Sequence, residues 1–245
     1  MAPIVAIAPF FGSKLPGPVK AGVAISLTLI MLPQIIFTAH APLGFNIIYV
    51  GMVFKELLMG MLLAFLASIP FYMAQSAGVL IDFLRGSSAL MVQDPVMQTQ
   101  ASPIGLLYNY VLIVIFYQIG GPFYFLEGVV DSYHLIPADG VIHPIFFTHN
   151  HPFWNSLMQL LTQFTAISIQ LAAPSLVAIL MAEMFLGIAN RLAPQVQIAF
   201  LGMSIKSLVG LALLCAGWFV ILQQMGKQSI LWLQQAGNLL RYLHF

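Results

Sequence analysis

An all-α, polytopic membrane protein of long kinked helices and helical hairpins is the fold class that this sequence predicts, and three observations predict it. Of 245 residues, 60% are hydrophobic and only 6% are charged. An ordinary soluble domain has about 25% charged residues, so this chain cannot cover itself with a wetted surface. The apolar residues are gathered into runs comparable to or longer than the roughly 20 residues that cross a bilayer. Backbone inside a bilayer must satisfy its own hydrogen bonds, and the alternating pattern of barrel strands is missing, so the runs read as helices.

Taken in order, the runs cover about Val19 to Phe37, Ile47 to Ile81, Ile104 to Ile119, Leu157 to Ala189 and Val196 to Leu222, followed by an amphipathic C-terminal tail over 228–245. The second and fourth exceed a single crossing and contain Pro70 and Pro174. Proline deletes an internal hydrogen bond and bends a helix, so each is either one long kinked helix or a tight hairpin. Both choices leave Lys55, Glu56, Gln75, Gln170 and Glu183 in apolar surroundings, where polar groups need protein partners or water. Met1 to Phe11 is apolar, lacks a positive residue before Lys14 and is too short to span. It is expected to be the end of a helix whose earlier segment is absent from this chain.

The formal charge of +1 gives no field for holding nucleic acid. Cys215 is the only cysteine, so no intrachain disulfide or cysteine metal cluster can form. The segment 120–156 holds Glu127, Asp131, Asp139, His134, His143, His149 and His151 but no Lys or Arg. The positive-inside rule therefore makes it an extracytoplasmic loop. Arg191 and Lys227 fall on opposite sides of one apolar run, so the helices are not all simple alternating spans.

Three stretches resemble the T subunit of the type III secretion export apparatus, SctT, and its flagellar counterpart FliR. The first is Ala8-Pro9 with Gly12, Pro16, Lys14 and Lys20; the second is Lys55-Glu56 with Gly60. The third is Phe185-Leu-Gly-Ile-Ala-Asn-Arg191-Leu-Ala-Pro194-Gln195, leading to Lys206. Between them Ile81-Asp82-Phe-Leu-Arg85-Gly86, Asp94-Pro95 and Ser102-Pro103 resemble the family's helix end and following loop. The likeness covers nearly the whole chain, and Gln75-Ser76-Ala77-Gly78 with Pro-Gln-Val-Gln resembles a chlamydial-type injectisome member with a short N-terminus. The resemblance implies one membrane domain over 1–245, a core subunit of the type III secretion export gate in the bacterial inner membrane. Its implied partners are the R and S export-apparatus subunits, the U switch protein, the V export-gate protein, the inner rod, unfolded secretion substrates and membrane lipid.

Within that frame the loop 86–102 mixes Gly86 and serines with Leu90, Met91, Val92, Asp94, Pro95 and Met97 before Ser102. Unbranched, polarizable Met side chains fill irregular space and repack. The resemblance implies a plug here that seals a pore and yields to a polypeptide; a buried turn between two helices fits the same residues. Around a turn centred between Pro194 and Gln195, Gly187 faces Gly202 and Glu183 faces Lys206. Small residues let helices approach, and an acid opposite a base neutralises two costly charges. Pairing of Glu183 or Lys206 with a neighbouring subunit is the other reading. Lys55 and Glu56 are adjacent and point about 100 degrees apart, so at least one is expected to look outward to a partner. Asp82 and Arg85 have the spacing of a local helix-surface ion pair.

Neither a catalytic constellation nor a metal-ligand interval is found. His149-Asn-His151 has no acidic or cysteine ligand at a recognised spacing. Gly12-Ser13-Lys14 lacks the glycine spacing and the Ser or Thr of a phosphate loop. A reading as an enzyme or as a cofactor binder therefore has no residues to carry it. The alternative function, a secondary transporter for a small solute, needs repeated halves around a midplane site, and no internal repeat is visible.

Overall fold

The computed structural model describes residues 1–12, 15–38, 47–86, 102–140, 152–192 and 198–241. Every regular element among them is helical: α1 (Ala2–Ile7), a 3-10 turn (Pro9–Phe11), α2 (Gly17–Thr38), α3 (Ile47–Leu84), α4 (Pro103–Gln118), α5 (Gly121–Leu135), α6 (Pro152–Leu192), α7 (Ile198–Ala216) and α8 (Trp218–Arg241). The two over-long apolar runs are single continuous helices, α3 with Pro70 and α6 with Pro174 inside. Three helices, α2, α3 and α6, are long and apolar enough to cross a membrane, and the bent pairs α4 with α5 and α7 with α8 bring the number to as many as five.

Two breaks differ from the apolar pattern. The last run divides at Gly217, where α7 and α8 turn through 64°. The acidic segment 120–156 contains α5, which begins after Gly120 in the left-handed region at φ 73°. Only glycine adopts that conformation without strain.

The chain separates into two compact units, and four helices pass from one to the other: α3 after Pro70, α4 after Ile115, α6 after Thr162 and α8 after Gln228. In the first unit α1 packs on α2, and α2 on α5. The apolar N-terminal segment belongs to its core: Ile4, Val5, Ala8 and Phe10 are buried. The Phe10 ring lies 4.9 Å from Phe116 and 5.3 Å from Phe125, the second edge-on. Such aromatic pairs add to simple area burial. Tyr117 Oη donates to the Phe10 carbonyl at 2.8 Å.

In the second unit α3 and α4 touch backbone to backbone. A Cβ on Gly78 would stand 2.5 Å from the Gly105 Cα, and one on Gly105 would meet Ser102 Oγ at 2.7 Å and the Gln75 carbonyl at 3.0 Å. Small residues at a crossing allow this approach between membrane helices. On α6, Ser168 Oγ lies within hydrogen-bond reach of the Met73 carbonyl of α3 at 3.2 Å and the Phe164 carbonyl of its own helix at 2.9 Å. Inserting atoms at a packed crossing costs about 1–3 kcal/mol. Gly78→Ala is therefore expected to lower the melting temperature of the purified protein and the amount recovered from membranes; wild-type behaviour of this variant would mean that the crossing is looser than described.

Candidate functional site

Among the described residues, polar chemistry is concentrated where an apolar chain keeps its charges. Three such clusters stand out among the described residues. In the first unit, α3 carries Lys55, whose side chain is 8% exposed. Its ammonium contacts the carbonyls of Pro137, Ala138 and Gly140 at 2.8, 3.1 and 3.1 Å and Glu56 Oε1 at 3.0 Å. The segment after α5 turns back at Pro137, whose carbonyl also accepts from Gly140 N–H at 2.9 Å, and so aims several carbonyls at one point. Glu56 accepts from Tyr133 Oη at 3.0 Å through its other oxygen.

This arrangement corrects the reading that the adjacent Lys55 and Glu56 cannot satisfy one another: they pair, while the Glu56 side chain stays one-third exposed. Both side chains are long enough to close the angle between neighbouring helical positions, and the remaining donors of the ammonium end on backbone oxygens of the same unit. Gln34 Nε2 on α2 lies 3.0 Å from His134 Nε2 on α5, a further tie between these helices. No group of three or more metal-ligating side chains occurs among the described residues; His143, His149 and His151 lie outside them.

The second cluster closes the base of the 86–102 loop. Asp82, wholly buried, accepts from Arg85 Nε at 2.8 Å and from Arg85 Nη2 at 2.6 Å, both on Oδ1. Its Oδ2 accepts from Ser102 Oγ and from the Ile104 N–H, the latter at 2.9 Å. Ser102 is the residue before α4, and its hydroxyl oxygen in turn accepts from Gly105 N–H at 3.0 Å. Serine before a proline at the first helical position is a strong helix start, because its oxygen takes an otherwise unpaired N–H. One carboxylate thus holds the end of α3, where Gly86 turns away at φ 86°, and the beginning of α4. Leu90, Met91, Val92, Asp94, Pro95 and Met97 lie outside the described residues.

The third cluster joins α6 to α7. Lys206 Nζ donates to Glu183 Oε1 at 2.6 Å, and the Glu183 side chain is 53% exposed. Four residues further from the turn on each helix, Ile179 and Gly210 meet in the same register, a Cβ on Gly210 standing 3.0 Å from Ile179 Cδ1. The Gly187 and Gly202 pair does not make the close approach its spacing suggested. A Cβ on Gly187 would meet nothing within 4 Å, and Gly202 packs against the Leu186 side chain. The intimate contact has moved away from the turn, to where Gly210 receives Ile179. Arg191 is exposed in the last turn of α6, and Pro194 and Gln195 lie outside the described residues.

Sequence reasoning missed Tyr133, the three carbonyls around Lys55 and the Asp82 contact to Ser102. The Ser102-Pro103 dipeptide marks where α4 begins, yet nothing local marks a carboxylate twenty residues earlier as its partner.

Long apolar helices that hold several of their few ionic groups in paired clusters define a multi-pass, all-α membrane protein. The chain belongs to the bacterial export proteins, family 1, whose family model matches residues 1–230. It is 30% identical to the Yop proteins translocation protein T of Yersinia pestis over 228 residues, covering 92% of this chain and 85% of that one. It is 30% identical to the secretion system apparatus protein SsaT of Salmonella typhimurium over 194 residues, 78% of this chain and 72% of the other. Over 218 residues it is 23% identical to the flagellar biosynthetic protein FliR of Escherichia coli, 87% of this chain and 79% of that one. It is accordingly a multi-pass protein of the bacterial inner membrane, in the SctT/FliR family.

Breaking a buried ion pair by removing one partner costs about 3–5 kcal/mol. Asp82→Ala is expected to fall in that range, with loss of folded protein on thermal melting; Arg85→Ala, which leaves a wholly buried carboxylate without its counter-charge, should be destabilising as well. Equal, small effects of both changes would show that the carboxylate does not hold the two helix ends.

Proposed function

We propose that this chain is the T subunit of a type III secretion export gate, joining R and S subunits in the channel through which unfolded proteins leave the cell. Contact with the U switch protein, the V export-gate protein and the inner rod belongs to the same reading. The observation that carries it is the family match over 1–230, supported by relatives named as translocation, secretion-apparatus and flagellar biosynthetic proteins.

The physical features agree with a role in an assembly. Glu183, half exposed, sits on a helix whose neighbouring Met181, Met184, Phe185 and Ile188 are each more than half exposed. Lipid offers an ion pair no hydrogen bonds, so this face is suited to protein cover. The role is one of structure and passage, with no chemical step assigned to the chain. Nothing favours the solute-transporter alternative.

In this reading the loop 86–102 is the plug, and its base is the Asp82 junction. Deletion of Ser87 to Gln100 is expected to leave the gate assembled and to make resting cells leak small ions; unchanged conductance in cells holding the assembled mutant gate would remove the plug assignment.

The hairpin pair tests the assembly itself. Lys206→Glu sets two carboxylates against each other and should deplete the gate complex recovered by co-purification with R and S subunits. Adding Glu183→Lys should restore part of it, and no rescue by the swap would assign these charges to partners outside the chain.

A further inference from the structure

Proline has no N–H, so Pro70 inside α3 deprives the carbonyl four residues earlier, that of Leu66, of its helical partner. Leu66 and Pro70 are both buried, and an unpaired carbonyl there has no water to turn to. The indole Nε1–H of Trp232 donates to the Leu66 oxygen at 2.9 Å. Trp232 is itself 2% exposed, and its N–H, a donor only, needs an acceptor when buried. Each group supplies what the other lacks, although 166 residues separate them.

The surroundings support a fixed contact. Leu63, Ala67, Phe116, Phe125 and Val129 line a small, mainly apolar cavity beside Pro70 and Trp232. One turn of α8 before Trp232, Ser229 is also buried. In the turn before Pro70, Ser68 Oγ donates to the Ala64 carbonyl at 2.6 Å, the kind of back-bond that accompanies bent helices. The stretch that the sequence presents as an amphipathic tail therefore enters the core of the first unit at Pro70 of α3.

We propose that Trp232 is a positioning residue whose indole replaces the hydrogen bond that Pro70 deletes, so that α8 from Ser229 onward is the strut that carries α3 through its proline. The packing of the ring is a separate contribution, and the two are separable by chemistry. Trp232→Phe keeps an aromatic ring and removes the N–H. Pro70→Ala gives residue 70 an N–H of its own, which reaches the Leu66 carbonyl inside the helix and makes the indole donor redundant.

The experiment is a double-mutant cycle on the full-length chain, purified in detergent and followed by thermal melting, with export measured in parallel in cells. Trp232→Phe is expected to lower the melting midpoint by about 3 °C or more where Pro70 is present. In the Pro70→Ala background it is expected to lose little. Equal losses in both backgrounds would reduce Trp232 to a packing residue and overturn the proposal, as would no loss in either.

A second measurement holds even if Pro70→Ala fails to fold. In a Trp154→Phe, Trp218→Phe variant, Trp232 is the sole tryptophan, and its ultraviolet resonance Raman N–H band is expected at the position of a hydrogen-bonded indole. A free N–H band would overturn the proposal.

Discussion

Inside an apolar helix bundle a carboxylate, an ammonium or a carbonyl freed from its ladder finds no water, and leaving any of them unpaired costs a large part of what a fold has to spare. The rest of this structure is arranged around that constraint. Lys55 ends on the carbonyls of Pro137, Ala138 and Gly140, Asp82 on donors from both sides of a loop, and the Leu66 carbonyl on an indole. In each case the partner comes from a different helix or from the turn that follows one. The polar contacts therefore help select which apolar helices are neighbours, alongside steric fits such as Gly78 on Gly105.

At Asp82 such a contact coincides with a steric one. The Gly78 and Gly105 backbones touch one turn away, so α3 and α4 are already pressed together where the carboxylate binds Ser102 and Ile104. Steric closeness and charge act on the same junction. Whatever the loop 86–102 does, its two ends are tied at a point where neither helix can yield without exposing a buried charge. In the plug proposed for this loop, the Asp82 junction would be the fixed base.

The fold class was readable because composition and the length of apolar runs are global properties, insensitive to any one contact. The Glu183 and Lys206 register was readable too, since a hairpin relates residues by symmetry about its turn, and Ile179 with Gly210 continues it. What could not be read were contacts between distant segments. Lys55 meets a carbonyl 82 residues later, and backbone carbonyls leave no mark in a sequence. The break at Gly217 was hidden for a related reason, since one glycine in an apolar stretch passes as a small packing residue until the chain is seen to turn there; the break at Gly120 falls where the apolar run ends, but the helix α5 beyond it was not read.

Proline in a membrane helix brings the same constraint to the backbone. Such prolines are tolerated when a neighbouring helix, a hydroxyl or a water satisfies the carbonyl they free. At Pro70 the substitute is specific, an indole that needs an acceptor as much as the carbonyl needs a donor. A hydroxyl or a water could leave and be replaced, whereas the indole comes with a buried ring and the helix that bears it. Loss of the C-terminal segment would therefore remove a hydrogen bond from α3 as well as apolar contacts, although 166 residues separate Leu66 from Trp232. This gives an amphipathic terminal helix a task inside the protein that its sequence, read locally, assigns to a surface.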